Sequence, residues 1–250
     1  MWCSAVSILS GDVCAGGRLQ RLMAGIRDTL TRKTGPKLII ASAGVKAPQR
    51  MAAARLRKTG GRERVELFCA LDDPLSAVAL IGLSERLKGR RVELVVLPVV
   101  SRGMEGDPAI EWKRKFSVID ATRLAARDGI RFKRDTIVQP STTKYLAEWI
   151  SAREPATAVT NFAIEASRQI WVDGVDPADE GHFAELWDRI VGGTPPGPGT
   201  GRIALNQSLM KKRGPYDTPA ACLRGQWFFA HERLDRIAQT LDELGWKAGA

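Results

Sequence analysis

The sequence predicts an α/β fold in which a β-α-β unit is separated by a block of helices from a β-β-α unit. Three observations lead there. Two apolar runs, residues 65–71 and 91–100, flank a helical pattern. The stretch from 111 to 191 then repeats apolar residues at helical spacing, with no convincing strand. Strand patterns return only at 220–223 and 227–229, just before a last helical stretch at 232–244. Continuous apolar runs of this length are typical of parallel strands covered on both faces, and a helix between two of them makes a right-handed crossover.

The first unit centres on VELFCALDDPLSAV at 65–78. The strand run stops at Asp72-Asp73-Pro74. Asp73 suits an N-cap and Pro74 the first helical position, and Ala77, Leu80, Ile81, Ser84 and Leu87 space out the helix until Gly89. Helices are then expected at 111–128, 139–152, 156–172 and 177–191, the last with acidic Asp179-Glu180 at its positive end. GGTPPGPGTG at 192–201 is a linker. With no lysine and no strand before it, it is not a phosphate loop. A short helix at 205–213 closes at Gly214. The runs 220–223 and 227–229 flank Arg224-Gly225-Gln226 and read as a hairpin with a short loop.

Composition narrows the function classes. A chain of 250 residues with 44% hydrophobic and 26% charged residues can bury an ordinary core. Its four cysteines (Cys3, Cys14, Cys69, Cys222) form no C-x-x-C pair and no metal-ligand spacing, so a zinc site or disulfide framework is not expected. The formal charge is +10, but residues 1–64 hold 13 Lys+Arg and 3 Asp+Glu, leaving 25 of each sign in 65–250. The body is neutral and lacks aromatics interleaved with its basic residues, which argues against specific nucleic-acid binding.

Residues 1–64 therefore read as a basic N-terminal extension. Two basic, moderately amphipathic pieces, 18–33 and 47–58, are compatible with weak contact with an anionic membrane; the plain alternative is a loosely ordered leader. The first residues lack a basic stretch before their apolar run, and no run of about 18 apolar residues occurs, so neither a signal peptide nor a membrane span is expected. The expected location is cytoplasmic.

Four segments, in this order, resemble the DsbA-like family of thioredoxin-fold proteins, especially its glutathione-using branch of 2-hydroxychromene-2-carboxylate isomerases and kappa-class glutathione transferases. They are VELFCALDDPLSAVAL, the Lys115/Asp120/Arg123 pattern in KRKFSVIDATRLAARDGI, the Trp171/Asp173-Gly174/Asp176 pattern in IWVDGVD, and the block from Gly214 through Thr218-Pro219 to Glu232-Arg233-Leu234-Asp235. The resemblance spans roughly 65–246. It implies a thioredoxin-like domain formed by 65–100 and 214–246, with an all-helical domain, 101–213, inserted between the halves. It also implies glutathione as cofactor, a small-molecule or thiol substrate, and a homodimer, although nothing in the sequence marks the interface.

The resemblance further implies that Pro219 is cis and that the backbone of Thr218 pairs with the cysteinyl part of a bound thiol peptide. Glu232, beside Arg233, would face the γ-glutamyl end. The ordinary alternatives are a trans proline at a strand edge and an acidic first-turn residue of the last helix. At the turn itself the chain departs from the family. Asp73 stands where the isomerases have serine and the oxidoreductases their first cysteine, and Ser76 stands at the second cysteine position. Without either thiol, dithiol–disulfide exchange through this motif is excluded. An ionised aspartate accepts hydrogen bonds only and repels a thiolate, and a helix N-terminus favours that ionised form. Cys69 and Cys222 lie within strand runs and are expected to be buried core residues.

Two functions follow. One is a glutathione- or small-thiol-dependent isomerase- or transferase-like enzyme, with Asp73, Ser76 and Lys115 at the reacting centre and Thr218, Pro219, Glu232 and Arg233 holding the thiol. The other is a catalytically degenerate thioredoxin-like binding protein.

Overall fold

The computed structural model describes residues 47–100, 107–213 and 217–249. Gln49–Ala250 form one compact unit. Of the other unit, Met1–Pro48, only the last two residues are described, so the helix expected at 18–33, Cys3 and Cys14 lie outside the described residues.

The elements run α1 (Ala47–Lys58), β1 (Glu63–Cys69), α2 (Pro74–Leu87), β2 (Val92–Pro98), α3 (Ile110–Arg127), α4 (Pro140–Ala152) and α5 (Thr157–Arg168). A π-helical turn (Gln169–Asp173), α6 (Glu180–Ile190), α7 (Ile203–Arg213), β3 (Ala220–Leu223), β4 (Gln226–Phe229) and α8 (Leu234–Glu243) complete the chain. The strands form one sheet in the order β2-β1-β3-β4. β1 runs parallel to β2 and antiparallel to β3, and β3 pairs antiparallel with β4. The hairpin loop is two residues, Arg224-Gly225, rather than three, because Gln226 already pairs with Leu223. Both loop residues have positive φ (50° and 79°), as a tight hairpin turn needs.

The alternation of β1 divides its side chains between two layers. Val65, Leu67 and Cys69 join the main core, into which α2 and α8 send Ala77, Leu80, Leu83, Leu234, Ile237 and Leu241. Phe68 points the other way and meets Val99 and Met210 of the second layer, where α7 lies. α2 is apolar on nearly all sides because elements pack around it; each fully buried Leu or Ile contributes roughly 2 kcal/mol. Gly82 permits the closest approach, since a Cβ there would come within 2.5 Å of Leu234 Cδ1.

The helical block carries an aromatic cluster of its own. Phe162 and Trp187 meet edge to face at 4.9 Å, as do Tyr145 and Trp149. Hydrogen bonds tie this block to the sheet and its margin: Thr160 Oγ1 donates to Leu94 O at 2.9 Å, Asn206 Nδ2 to Pro98 O at 3.0 Å, and Trp171 Nε1 to Leu71 O at 3.3 Å. Trp171 sits in the π-helical turn, whose following residue Gly174 has φ 77°. Arg134 donates to the carbonyls of Ile170, Gly174 and Val175 and fixes that turn.

α1 belongs to the core. Ala53 is fully buried, Leu56 packs beside it, and the Arg57 guanidinium lies 5.4 Å from the Trp246 ring centre. Ala53 and Leu56 of 47–58 thus face protein, while Met51 is exposed. Among the described residues no helix is long and apolar enough to cross a membrane.

Candidate functional site

The site is built where β1 hands over to α2. Asp73 is the N-cap, with extended backbone (φ −102°, ψ 118°), and its carboxylate accepts from Leu75 N at 3.3 Å and Ser76 N at 3.1 Å. Ser76 Oγ donates to Asp73 Oδ2 at 2.7 Å and accepts from Ala70 N at 3.2 Å. Asp73 is 2% exposed and Ser76 fully buried. These two expected site residues therefore lock the turn, and the carboxylate faces amides rather than an open groove.

Thr218 and Pro219 precede β3, and the peptide bond between them is cis. β1 pairs with β3 through Phe68 and Ala220. That is the last pair of the ladder, so Pro219 and Thr218 lie just beyond it, at the end of β1 that leads through Cys69 into the Asp73 turn. Pro219 O accepts from Ala230 N at 3.0 Å. Thr218 is buried, its Oγ1 has no hydrogen-bond partner among the described residues, and its N–H is held by Asp217 Oδ1 at 2.8 Å. A peptide pairing with that N–H must displace Asp217.

Glu232 is exposed and lies outside the last helix, which begins at Leu234 with Arg233 as N-cap. The alternative of a first-turn acid falls to Asp235, which pairs with Arg86 at 2.7 Å. Arg233 is exposed and its side chain caps nothing. Lys115 is exposed on α3 with its ammonium 5.2 Å from the Trp112 ring centre; it makes no hydrogen bond or ion pair with Asp73, Thr218 or Glu232.

Sequence reasoning missed His231. Its Nδ1 is buried without a partner among the described residues, and its Nε2 is 3.9 Å from Glu232 Oε1. Burial pushes its pKa down, and the charges of Glu232, Asp217 and Asp120 pull it partly back. That set of influences joins α3 to the Thr218 loop and the end of β4. The signal was available: one of only two histidines sits inside the matched block, beside Glu232.

The thiols are inert by environment. Cys69 and Cys222 are free and buried. Burial pushes the Cys69 thiol far up, and the Asp73 charge pushes it the same way. Burial also raises Cys222, against a hydrogen bond from the Gly225 backbone. Neither is a thiolate near neutral pH. Among the described residues no group of three His, Cys, Asp or Glu side chains is placed to hold a metal.

A parallel β1–β2 pair, two antiparallel strands beyond β1, a cis-proline before β3 and helices inserted between the halves define a DsbA-like thioredoxin fold. Solved structures agree. A 2-hydroxychromene-2-carboxylate isomerase superposes with a TM-score of 0.57 at 13% identity, covering 73% of this chain and 96% of its own. A probable DsbA oxidoreductase from Streptomyces coelicolor superposes with a TM-score of 0.54 at 13% identity, covering 74% of this chain and 90% of its own. No protein-family model matches the chain, and no curated protein matches it. The likenesses establish the fold and do not choose between isomerase and oxidoreductase.

Proposed function

We propose that this chain is a glutathione- or small-thiol-dependent enzyme of the isomerase or transferase type that carries out no dithiol exchange. The observation that carries this reading is the buried, unpartnered Oγ1 of Thr218 beside the turn where Asp73 and Ser76 replace both thiols of a redox pair. An orphaned buried hydroxyl at such a place is what a bound ligand satisfies. Thr218 and Pro219 hold the cysteinyl part of the thiol peptide. Glu232, with Arg233 next to it, receives the charged γ-glutamyl end, and the negative charges of Asp120 and Asp217 suit its ammonium group. Asp73 and Ser76 position the turn. Lys115, on the exposed side of α3, faces the second substrate.

Isothermal titration with glutathione at millimolar concentration tests this. Binding weakened about tenfold or more by Glu232→Gln is expected, a charged hydrogen bond being the interaction removed. No heat at that concentration would sink the reading. With Asp73→Ser, thiolate absorbance should rise when glutathione is bound, because the hydroxyl donates where the carboxylate cannot. A cytoplasmic homodimer is part of the same proposal and is checked by fractionation and light scattering.

A second reading is favoured by the cap geometry: with both Asp73 oxygens engaged by helix amides and Ser76, the fold is a binding protein for a peptide or acidic ligand without turnover. Turnover of a hydroxychromene carboxylate, or of a standard electrophile–thiol pair, that is abolished by Asp73→Ala eliminates it.

A further inference from the structure

The opposite end of β1 carries a second feature that the thiol reading does not use. α7 covers the Phe68 side of the sheet and ends at Arg213, close to Glu66, where the two side chains pair. Beyond it, among the described residues, a cleft of about 690 Å³ lies on the sheet face. Arg62, Arg64, Arg213 and Arg224 line it, with Leu56 and Trp227 as apolar walls. The volume falls within the usual range for small-molecule sites.

Charge selects the occupant. Four guanidinium groups face two carboxylates, Glu63 and Glu66. Glu63 is buried and neutralised by Arg224 Nε at 2.7 Å and Trp246 Nε1 at 2.8 Å; Glu66 pairs with Arg213. Arg62 has no ion pair among the described residues, and Arg64 reaches only Glu93 at the rim, at 3.6 Å. Arg62 is thus left without an ion pair among them, and Arg64 holds only that long, exposed one. Arg224 stands at φ 50° in the hairpin turn, a position that glycine or asparagine fills more readily.

We infer that this cleft binds a small organic phosphate, its dianion held by the arginines and its carbon body set against Leu56, Cys222 and Trp227. Guanidinium groups match phosphate oxygens bidentately, and the unpaired Arg62 together with the loosely paired Arg64 suits an anion of high charge. The apolar walls require more than the bare ion.

The test is calorimetry on the full chain at fixed ionic strength with phenyl phosphate, inorganic phosphate and phthalate. Phenyl phosphate is expected to bind most tightly, and the double variant Arg62→Gln/Arg64→Gln to weaken it at least about tenfold with an unchanged melting temperature. Because both arginines are exposed, that variant keeps the fold. Glu66→Gln, which frees Arg213, is expected to strengthen binding about threefold, the sign expected from removing a like charge near the anion. The proposal is overturned if phenyl phosphate shows no binding at millimolar concentration, or if the double variant binds as well as wild type. It is equally overturned if inorganic phosphate or phthalate binds as tightly as phenyl phosphate, or if Glu66→Gln weakens binding.

Discussion

Ser76 Oγ donates a 2.7 Å hydrogen bond to Asp73 Oδ2 while accepting one from Ala70 N at 3.2 Å, so a single hydroxyl links the end of β1 to the cap of α2. At these two positions a dithiol enzyme places sulfur that must be reachable. Here they form a buried polar knot, and its energy belongs to the fold.

Asp73→Ala is therefore expected to lower unfolding free energy by about 1–2 kcal/mol, the usual cost of losing a side-chain N-cap, read from urea denaturation. Asp73→Asn, which keeps an acceptor oxygen, should retain most of it. Equal stability for Asp73→Ala and wild type would show that the cap contributes nothing.

Cys69 should resist a thiol-specific disulfide reagent at neutral pH until the protein unfolds, since its thiol is buried and its ionisation is opposed by burial and by Asp73. Mass spectrometry in a Cys3→Ser/Cys14→Ser background reads this. Rapid labelling of Cys69 in the native state is the contrary result.

His231 gives a pH signature with a definite sign. Its folded pKa lies below the ordinary 6.5, so the unfolded chain binds the proton more readily. Below the folded value His231 costs stability. The cost fades as pH rises through the folded value and is gone above the ordinary value. Relative to His231→Gln, wild type should gain stability over that window and run parallel to it at higher pH. Paired urea titrations across pH, with an NMR titration of the ring, measure the effect, and a constant difference refutes it.

Arg224→Leu leaves the buried Glu63 carboxylate with Trp246 but without its guanidinium, and should cost about 3 kcal/mol. Arg224→Leu combined with Glu63→Gln should recover much of that loss. A double-mutant cycle in denaturant decides it; no recovery would mean that the pair is uncoupled.

Much of this was legible in the sequence because it depends on local pattern. The apolar runs gave β1 and β2 within two residues at each end, Asp73-Pro74 announced the cap, and the four matched segments carried the fold. What stayed hidden depends on distance along the chain or on subtler periodicity. The helix expected at 156–172 ends instead in a π-helical turn, where an i→i+5 bond alters a spacing that apolar periodicity reads as continuous. The last helix starts two residues later than expected, which takes Glu232 out of its first turn. The Glu63–Arg224–Trp246 cluster joins residues more than 160 positions apart, so no window of sequence shows it.

That cluster also sets an order of events during synthesis. β1 and β2 emerge from the ribosome before β3 and β4 and can pair at once, yet β1 begins with a carboxylate whose two partners are made more than 160 residues later. Until Trp246 has left the exit tunnel, Glu63 must stay hydrated and the β1 edge open to β3. The sheet is therefore completed only after residue 246 has been made, and the nascent chain is the stage at which a chaperone has most to protect.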